Sequence, residues 1–459
     1  MTDEYATIAA ISTAHGRGGV AIIRLSGEKA LSVAEQMFRP VGKVSVPDFE
    51  SYRMYPGTID AGSFTDFGLC VCFRAPHSYT GEDIVEFHCH GGTEIAKGIL
   101  KRTFSFGARP AEAGDFTRRA FLNGKMSLSA AEGVIGMINA ESESMIKAGY
   151  SLYRNRLNEK IKKIQNDLTT LLASIEVDID YPEEELEASV PDLKNVKGTL
   201  GNICNDLAKL KTSYESVGKQ VKNGVSVAIV GAPNSGKSSL LNALLGYDKA
   251  IVSDIEGTTR DVVEGEIDVN GFRFHLYDTA GIRESKDVIE RIGVEKAEKL
   301  MGEADIVLLV IDASDPDREK SLAVQRGIAA TPRMLSLTLY NKSDLLSGEE
   351  AKQGDVTENI YYISAKEKKN IDAVLARLKE EMERRYTFDS LFVVEERHYR
   401  ELEEALTRLQ SSLSVCESVP LDMLTVDIMS AWQKLGEITG ETANEEIISE
   451  IFSKFCVGK

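Results

Sequence analysis

The spacing of apolar residues changes along this chain, and each change marks a region. In residues 6–104 short apolar runs alternate with glycine-rich turns. Residues 6–11, 20–25, 69–73 and 84–90 predict strands, and Gly91-Gly92 opens a helix over 93–104. Residues 1–120 therefore predict a small α+β domain. From Phe121-Leu122-Asn123-Gly124-Lys125 onward the period becomes helical. Leu157, Ile161, Ile164, Leu168, Leu171 and Ile175 form one heptad stripe, and Leu193, Val196, Leu200, Ile203, Leu207 and Leu210 form another. An acidic stretch with Pro182 separates them. The period returns at Leu402, Leu406, Leu409, Leu413 and Cys416, and again at Leu424, Ile428, Trp432 and Leu435. Short stripes broken by turns predict an intramolecular bundle assembled from 121–220 and 385–459. The region between them, 221–384, is then an insertion. It carries apolar runs at 225–230, 265–269, 272–277, 304–312, 335–340 and 360–363, a pattern that predicts an α/β sheet.

Composition narrows the class. A chain of 459 residues with 42% hydrophobic and 27% charged residues describes a globular protein of several domains. No window approaches the roughly 18 apolar residues of a membrane span. Met1-Thr2-Asp3-Glu4-Tyr5 carries acid where a secretory leader carries Lys or Arg. Cys70, Cys72, Cys89, Cys204, Cys416 and Cys456 lack zinc-ligand spacing and read as reduced thiols of a cytoplasmic protein. The net charge of −18 repels nucleic acid and anionic lipid, so any RNA contact requires a local basic patch or a partner.

The chemistry begins at Gly231-Ala232-Pro233-Asn234-Ser235-Gly236-Lys237-Ser238-Ser239, which follows a β-branched run and opens a helical one. Strand, glycine loop and helix in that order form a phosphate-binding loop. Its backbone N–H groups and the helix dipole receive the phosphates, Lys237 reaches the outer ones and the Ser238 hydroxyl holds Mg²⁺. Downstream, Ser253-Asp254-Ile255-Glu256-Gly257-Thr258-Thr259-Arg260 precedes a hairpin turning at Asn270-Gly271, whose second strand ends in Asp278-Thr279-Ala280-Gly281. Asp278 faces the loop as a Mg²⁺ partner, and the Gly281 N–H meets a γ-phosphate. Asn341-Lys342-Ser343-Asp344 and Ser364-Ala365-Lys366 each follow a further strand. An Asp344 carboxylate accepts from guanine N1–H and N2–H₂ together, a pair adenine does not offer. The insert thus reads as a Ras-like GTP-binding domain. Ile282 stands where many signalling GTPases place a water-orienting glutamine, so hydrolysis must recruit another group; Arg260, Arg283, Glu284 and Glu290 have suitable chemistry.

The N-terminal region offers fainter signals. Arg24 lies in an otherwise apolar strand and requires an anion, from the chain or from a bound acid. Glu86 and His88 share one strand face. His88 and His90 have no third metal ligand and read as ordinary strand residues.

With these residues assembled, the chain resembles the bacterial tRNA-modification GTPase family MnmE, also called TrmE. The resemblance covers nearly the whole chain. It rests on Gly16-Arg17-Gly18-Gly19-Val20, Tyr79-Thr80-Gly81-Glu82-Asp83, His90-Gly91-Gly92, the 121–125 stretch, the GTPase motifs and the terminal Phe455-Cys456-Val457-Gly458-Lys459. It implies an N-terminal folate-binding, dimerising domain, a discontinuous helical domain and an inserted GTPase domain. It also implies a homodimer that joins the flavoprotein MnmG in a heterotetramer. That complex builds an aminomethyl or carboxymethylaminomethyl group on C5 of a tRNA wobble uridine, using a tetrahydrofolate derivative such as 5-formyltetrahydrofolate. On this sequence the resemblance places folate contacts at Arg24, Glu86, Lys125 and Lys459, and K⁺ ligands at Asn234, Ser253, Ile255 and Thr258. It places Mg²⁺ ligands at Ser238 and Thr259, and a water-orienting glutamate at Glu290. Cys456 matches as a thiol for the tRNA chemistry, against the plainer reading of an apolar cysteine packing the last helix. Two other classes compete. A regulatory GTPase of ribosome assembly would carry a basic RNA-binding module, and a dynamin-like membrane scaffold would carry a lipid anchor or basic amphipathic helix. The sequence offers neither.

Overall fold

The computed structural model describes residues 6–180, 193–246, 265–278, 302, 304–315, 334–346, 359–386 and 393–459. The chain forms two compact units. The first holds the residues up to Ile135, with Gly149–Thr199 and Thr407–Lys459; the second holds Gly136–Ala148 and Leu200–Leu406.

In the first unit, β1 (Ile8–Ile11), β2 (Val20–Ser26), β3 (Phe38–Pro40), β4 (Met54–Asp60), β5 (Thr65–Phe73), β6 (Ile84–His90) and β7 (Arg109–Pro110) make one sheet. Its order is β3-β4-β5-β6-β2-β1-β7, antiparallel except where β7 joins β1. The helices Ala30–Met37 and Thr93–Ser105 contribute to the core on one face, where Ile23, Leu25, Cys70, Cys72, Val85 and Phe87 are buried with Val33, Met37 and Ile99. Alternation along each strand then assigns Ile22, Arg24, Glu86 and His88 to the opposite face.

β3 and β4 lie outside the strands that the apolar runs predict, since β4 (Met54-Tyr55-Pro56-Gly57-Thr58-Ile59-Asp60) carries no continuous apolar run. Here Gly57 pairs with Gly68 of β5. A Cβ at Gly57 would lie 2.4 Å from the Arg39 carbonyl oxygen, and one at Gly68 would lie 2.2 Å from that of His88. These glycines serve close backbone approach rather than a turn.

The helical stripes fold as their period requires. All six apolar residues of the stripe on Arg156–Asp180 are buried. This helix packs on Leu421–Thr439, where Gln165 Nε2 donates to the Trp432 carbonyl at 3.2 Å and Trp432 Nε1 donates to Thr169 Oγ1 at 3.1 Å. Val196, Leu200, Ile203, Leu207 and Leu210 of the second stripe are buried too. In the second unit the Tyr214 and Tyr399 rings lie 4.7 Å apart with planes inclined by 30°, so residues that precede the GTPase insert pack against residues that follow it.

The second sheet consists of β8 (Val225–Gly231), β9 (Gly265–Val269), β10 (Phe272–Asp278), β11 (Ile306–Asp312), β12 (Leu335–Asn341) and β13 (Ile360–Tyr362), in the order β13-β12-β11-β8-β10-β9. Only β9 runs antiparallel. Strands buried on both faces read as continuous apolar runs, as Val227 to Val230 and Ile306 to Ile311 do. β8 lies between β10 and β11, so the strand order reverses there. A ligand crevice is expected at the carboxyl ends of the strands at such a point. Asn270 (φ 56) and Gly271 (φ 80) take the left-handed turn between β9 and β10.

Candidate functional site

The carboxyl end of β8 opens directly into the glycine loop, and the helix Lys237–Leu245 begins at its far side. Gly236 enters the helix at φ 96, where a Cβ would lie 2.1 Å from Asn341 Nδ2. Only glycine fits that place. The Lys237 side chain is buried, and its Nζ donates to the carbonyls of Gly231 at 3.2 Å and Ala232 at 3.0 Å, so the ammonium lies across the loop. Ser235 is buried as well, and its Oγ has no partner among the described residues. An orphaned hydroxyl inside a glycine loop fits a loop shaped to receive an anion. Asn234 (φ 63) and Ser239 are exposed at the same loop and first helical turn.

Mg²⁺ prefers hard oxygen donors, and the loop provides a pair of them. Ser238 Oγ donates to Asp278 Oδ2 at 2.8 Å, joining the first turn of the helix to the end of β10. A hydroxyl and a buried carboxylate brought together beside a phosphate loop suit that ion. β10 is fixed at its other end as well. Ser144 N donates to the Gly271 carbonyl at 3.0 Å, and Arg273 pairs with Glu141 and Glu266.

Asn341 ties this loop to the neighbouring strand ends. Its Nδ2 donates to the Ser235 carbonyl at 2.9 Å, and its Oδ1 accepts from Ala365 N at 3.0 Å. The amide is thereby engaged within the protein and acts by positioning the loops on either side. Lys342 Nζ meets Asp312 Oδ2 at 2.5 Å. Asp344 Oδ1 accepts from Ser364 Oγ at 2.6 Å. That bond first, with Lys366 and Lys342 nearby, holds the carboxyl below its ordinary value. The carboxylate is therefore ionised, oriented and half-exposed, as an acceptor for guanine must be. Ser253, Asp254, Ile255, Glu256, Gly257, Thr258, Thr259, Thr279, Ala280, Gly281 and Glu290 lie outside the described residues, as do Ile282, Arg260, Arg283 and Glu284.

A strand-end phosphate loop, a hydroxyl–carboxylate pair for Mg²⁺ and an Asp-based purine reader on a Ras-like sheet define a GTP-hydrolysing P-loop protein. Comparison with known proteins narrows this class. The model of the MnmE helical domain matches residues 128–456, and that of the GTP-binding protein TrmE N-terminus matches 7–125. The chain is 40% identical to the tRNA modification GTPase MnmE of Carboxydothermus hydrogenoformans and 38% identical to that of Clostridioides difficile. Both alignments cover 99% of each chain. The chain belongs to the tRNA modification GTPase MnmE family.

The first unit holds a second candidate site. A cavity of 330 Å³, at the lower end of the range usual for small-molecule sites, is lined by Arg24, Tyr52, Phe73, Ser78, Tyr79, Ile84, Glu86 and Lys459. Arg24 and Glu86 are direct partners across β2 and β6, and Arg24 Nε meets Glu86 Oε1 at 2.7 Å. His88 Nε2 approaches Glu86 Oε2 at 3.2 Å. Burial alone would raise the Glu86 carboxyl, but the His88 hydrogen bond and the Arg24 charge outweigh it and hold it below its ordinary value. The anion that Arg24 requires is thus supplied by the chain. Its guanidinium also lies 5.8 Å from the Tyr79 ring and 5.7 Å from that of Phe116. The loop carrying Tyr79 is fastened by the buried Arg119, which meets Glu82 Oε2 at 2.8 Å.

Lys459 arrives from the other end of the chain. Ser12 Oγ donates to the Gly458 carbonyl at 3.1 Å, and a Cβ at Gly458 would lie 2.4 Å from the Ile11 carbonyl oxygen. The terminal residues are therefore pressed against β1. Of the four residues implied for folate, Arg24, Glu86 and Lys459 meet in the cavity. Lys125 stands apart, with Nζ on the Pro76 carbonyl at 2.7 Å. Aromatic walls with a guanidinium, a carboxylate and an ammonium fit a flat heterocycle that carries acid groups. Tyr79 and Phe116 were missed in the sequence, where nothing local marks a loop tyrosine and a helix phenylalanine as neighbours of Arg24. His90 pairs with Asp66 at 2.7 Å rather than with His88. All six cysteines are free, and Cys456 alone is exposed, so it does not pack the core.

Proposed function

We propose that this chain is the GTP-hydrolysing subunit of a cytoplasmic complex that modifies C5 of the tRNA wobble uridine. The product group is aminomethyl or carboxymethylaminomethyl, and the one-carbon unit comes from 5-formyltetrahydrofolate or a related tetrahydrofolate. The observation that carries this reading is the Arg24–Glu86–Lys459 cavity, present in the same chain as a GTP crevice and alike end to end to tRNA modification GTPases. In this reading residues 1–120 bind folate and dimerise, 121–220 with 385–459 form the helical domain, and 221–384 hydrolyse GTP. The homodimer works with the flavoprotein MnmG on tRNA.

For hydrolysis, Lys237 and the Gly281 N–H would hold the outer phosphates, and Ser238 and Thr259 would hold Mg²⁺, which would supply positive charge against the negative charge of the phosphates. Ile282 cannot polarise water, so Glu290 orients the attacking molecule. Asn234, with oxygens of Ser253, Ile255 and Thr258, would hold a K⁺ whose charge replaces that of an arginine finger. Such a charge accelerates GTPases by about 10³–10⁵. Na⁺ is smaller and sits poorly among oxygens spaced for K⁺. Turnover of the full chain is therefore expected to fall steeply when NaCl replaces KCl at equal ionic strength. In KCl alone, GDP with aluminium fluoride is expected to pair the two GTPase domains. Equal rates and unchanged association in both salts would remove K⁺ from the mechanism and leave Arg260 or Arg283 as the source of charge.

Cys456, exposed and three residues before Lys459, is assigned to the tRNA chemistry rather than to GTP cleavage. A Cys456→Ser chain is expected to hydrolyse GTP at the parent rate and to leave the wobble uridine unmodified in cells. Full modification by that variant would show the thiol to be dispensable.

A further inference from the structure

Two exposed tyrosines of the first unit lie outside the lining of the Arg24 cavity. Tyr150 and Tyr153, on the last turn of the helix Glu143–Tyr153, are 51% and 43% exposed. Their ring centroids lie 6.3 Å apart with planes inclined by 32°. The turn that follows is tied to the stretch just after Lys125, because Ser127 Oγ donates to Asn155 Oδ1 at 2.7 Å. The exposed Arg154 directly precedes Asn155, and the exposed Lys125 lies two residues before Ser127, so this bond draws the two cations' segments together; Lys125 Nζ reaches the loop before Tyr79 through the Pro76 carbonyl. The Tyr153 phenol also bears electrostatically on Tyr79, which lines the cavity. Leu122, 50% exposed, precedes Lys125 on the same stretch.

Two aromatic faces in water beside exposed cations are an unusual investment for a chain of net charge −18. The combination suits an anionic polymer with flat rings. Unpaired bases stack on tyrosine whatever their sequence, and arginine or lysine holds the adjoining phosphates. A two-fold contact with a second copy suits the patch less well, because it would bring Arg154 and Lys125 toward cations of the same patch. We propose that Tyr150 and Tyr153, flanked by Arg154 and Lys125, form a platform on which an unpaired base of an RNA loop stacks. The proposal rests on the RNA-modifying reading above and adds where the RNA touches this chain.

The test is direct binding of a labelled anticodon stem–loop RNA, with an unpaired uridine at the wobble position, to the full chain. Replacing both tyrosines with alanine is expected to weaken binding by about tenfold or more, while phenylalanine at both keeps it within about twofold. Leucine at both should behave like alanine, since apolar area without a π face does not stack. Arg154→Ala is expected to reduce the slope of log affinity against log salt by about 1. GTP turnover of every variant should equal that of the parent, which confirms that the chain is folded. Absence of binding by the parent, parental affinity in the alanine pair, or full affinity in the leucine pair would each overturn the platform. An alanine pair that alters the sedimenting mass but not RNA affinity would identify the patch as a protein–protein seam and overturn it equally. None of these results touches the wobble-nucleoside measurement on which the functional reading stands.

Discussion

Replacing Asp344 with Asn is expected to turn nucleotide preference from guanine toward xanthine. Asp344 is ionised and oriented by Ser364 Oγ at 2.6 Å, so it presents acceptors only. Guanine offers N1–H and N2–H₂ to such a group. Asparagine retains one acceptor but turns a donor toward N2, and two donors then face each other. Losing a pair of hydrogen bonds to a charged group costs about 3 kcal/mol or more, over a hundredfold in affinity. Xanthine carries a carbonyl at C2 that accepts from the new amide, so xanthosine triphosphate should gain what GTP loses. Because the Asp344 carboxyl lies below its ordinary value, parental discrimination should hold as pH falls to the ordinary carboxylate range and disappear only as that lowered value is crossed. Competition binding of the two nucleotides to parent and variant reads this out. Unchanged preference in the variant would remove Asp344 from base recognition.

Arg24→Ala is expected to abolish measurable binding of 5-formyltetrahydrofolate at concentrations that saturate the parent. The guanidinium is mostly buried between Glu86, Tyr79 and Phe116, and its loss leaves Glu86 with His88 as its remaining charge-assisted contact. Breaking one partner out of such a pair costs on the order of 2–5 kcal/mol. Lys125, which stands outside the cavity on the Pro76 carbonyl, should matter less when replaced by alanine. Calorimetry separates these outcomes, and GTP turnover reports whether each variant is folded. Full-strength folate binding by the Arg24→Ala chain would dismiss the cavity as a folate site.

The GTPase insert was readable because its chemistry sits at strand ends that announce themselves. Parallel strands buried on both faces leave unbroken apolar runs, and the residues just beyond them are the ones that face a ligand. Asn341 shows where such reading stops. Its position at the end of β12 was evident, but its engagement by Ser235 and Ala365 depends on three separated segments meeting. Arg24 stood out because a guanidinium in an apolar strand demands an anion. Its partner Glu86 could be named only once β2 and β6 were in register, and register is a non-local property. Periodicity carried the helices well, with local lapses. Ser412 is fully buried where Leu413 was expected to be, and Ala431 takes the buried place assigned to Trp432, whose indole bonds Thr169 instead. A π-helical turn at Tyr214–Gly218 continues Leu193–Ser213, and Gly218 there sits against the Val393 carbonyl. A spacing rule that assumes constant pitch does not foresee that turn.

GTP hydrolysis by this chain is expected to drive wobble-uridine modification. The most direct test is mass spectrometry of wobble nucleosides from cells lacking the gene, supplied with either the parent chain or a Lys237→Ala chain. Lys237 is buried across the phosphate loop, so its loss removes the charge that holds the outer phosphates. Deletion should erase the C5 aminomethyl-type group, the parent chain should restore it, and the Lys237→Ala chain should leave an unmodified uridine. Wobble nucleosides unchanged by the deletion, or restored in full by the Lys237→Ala chain, would contradict the account.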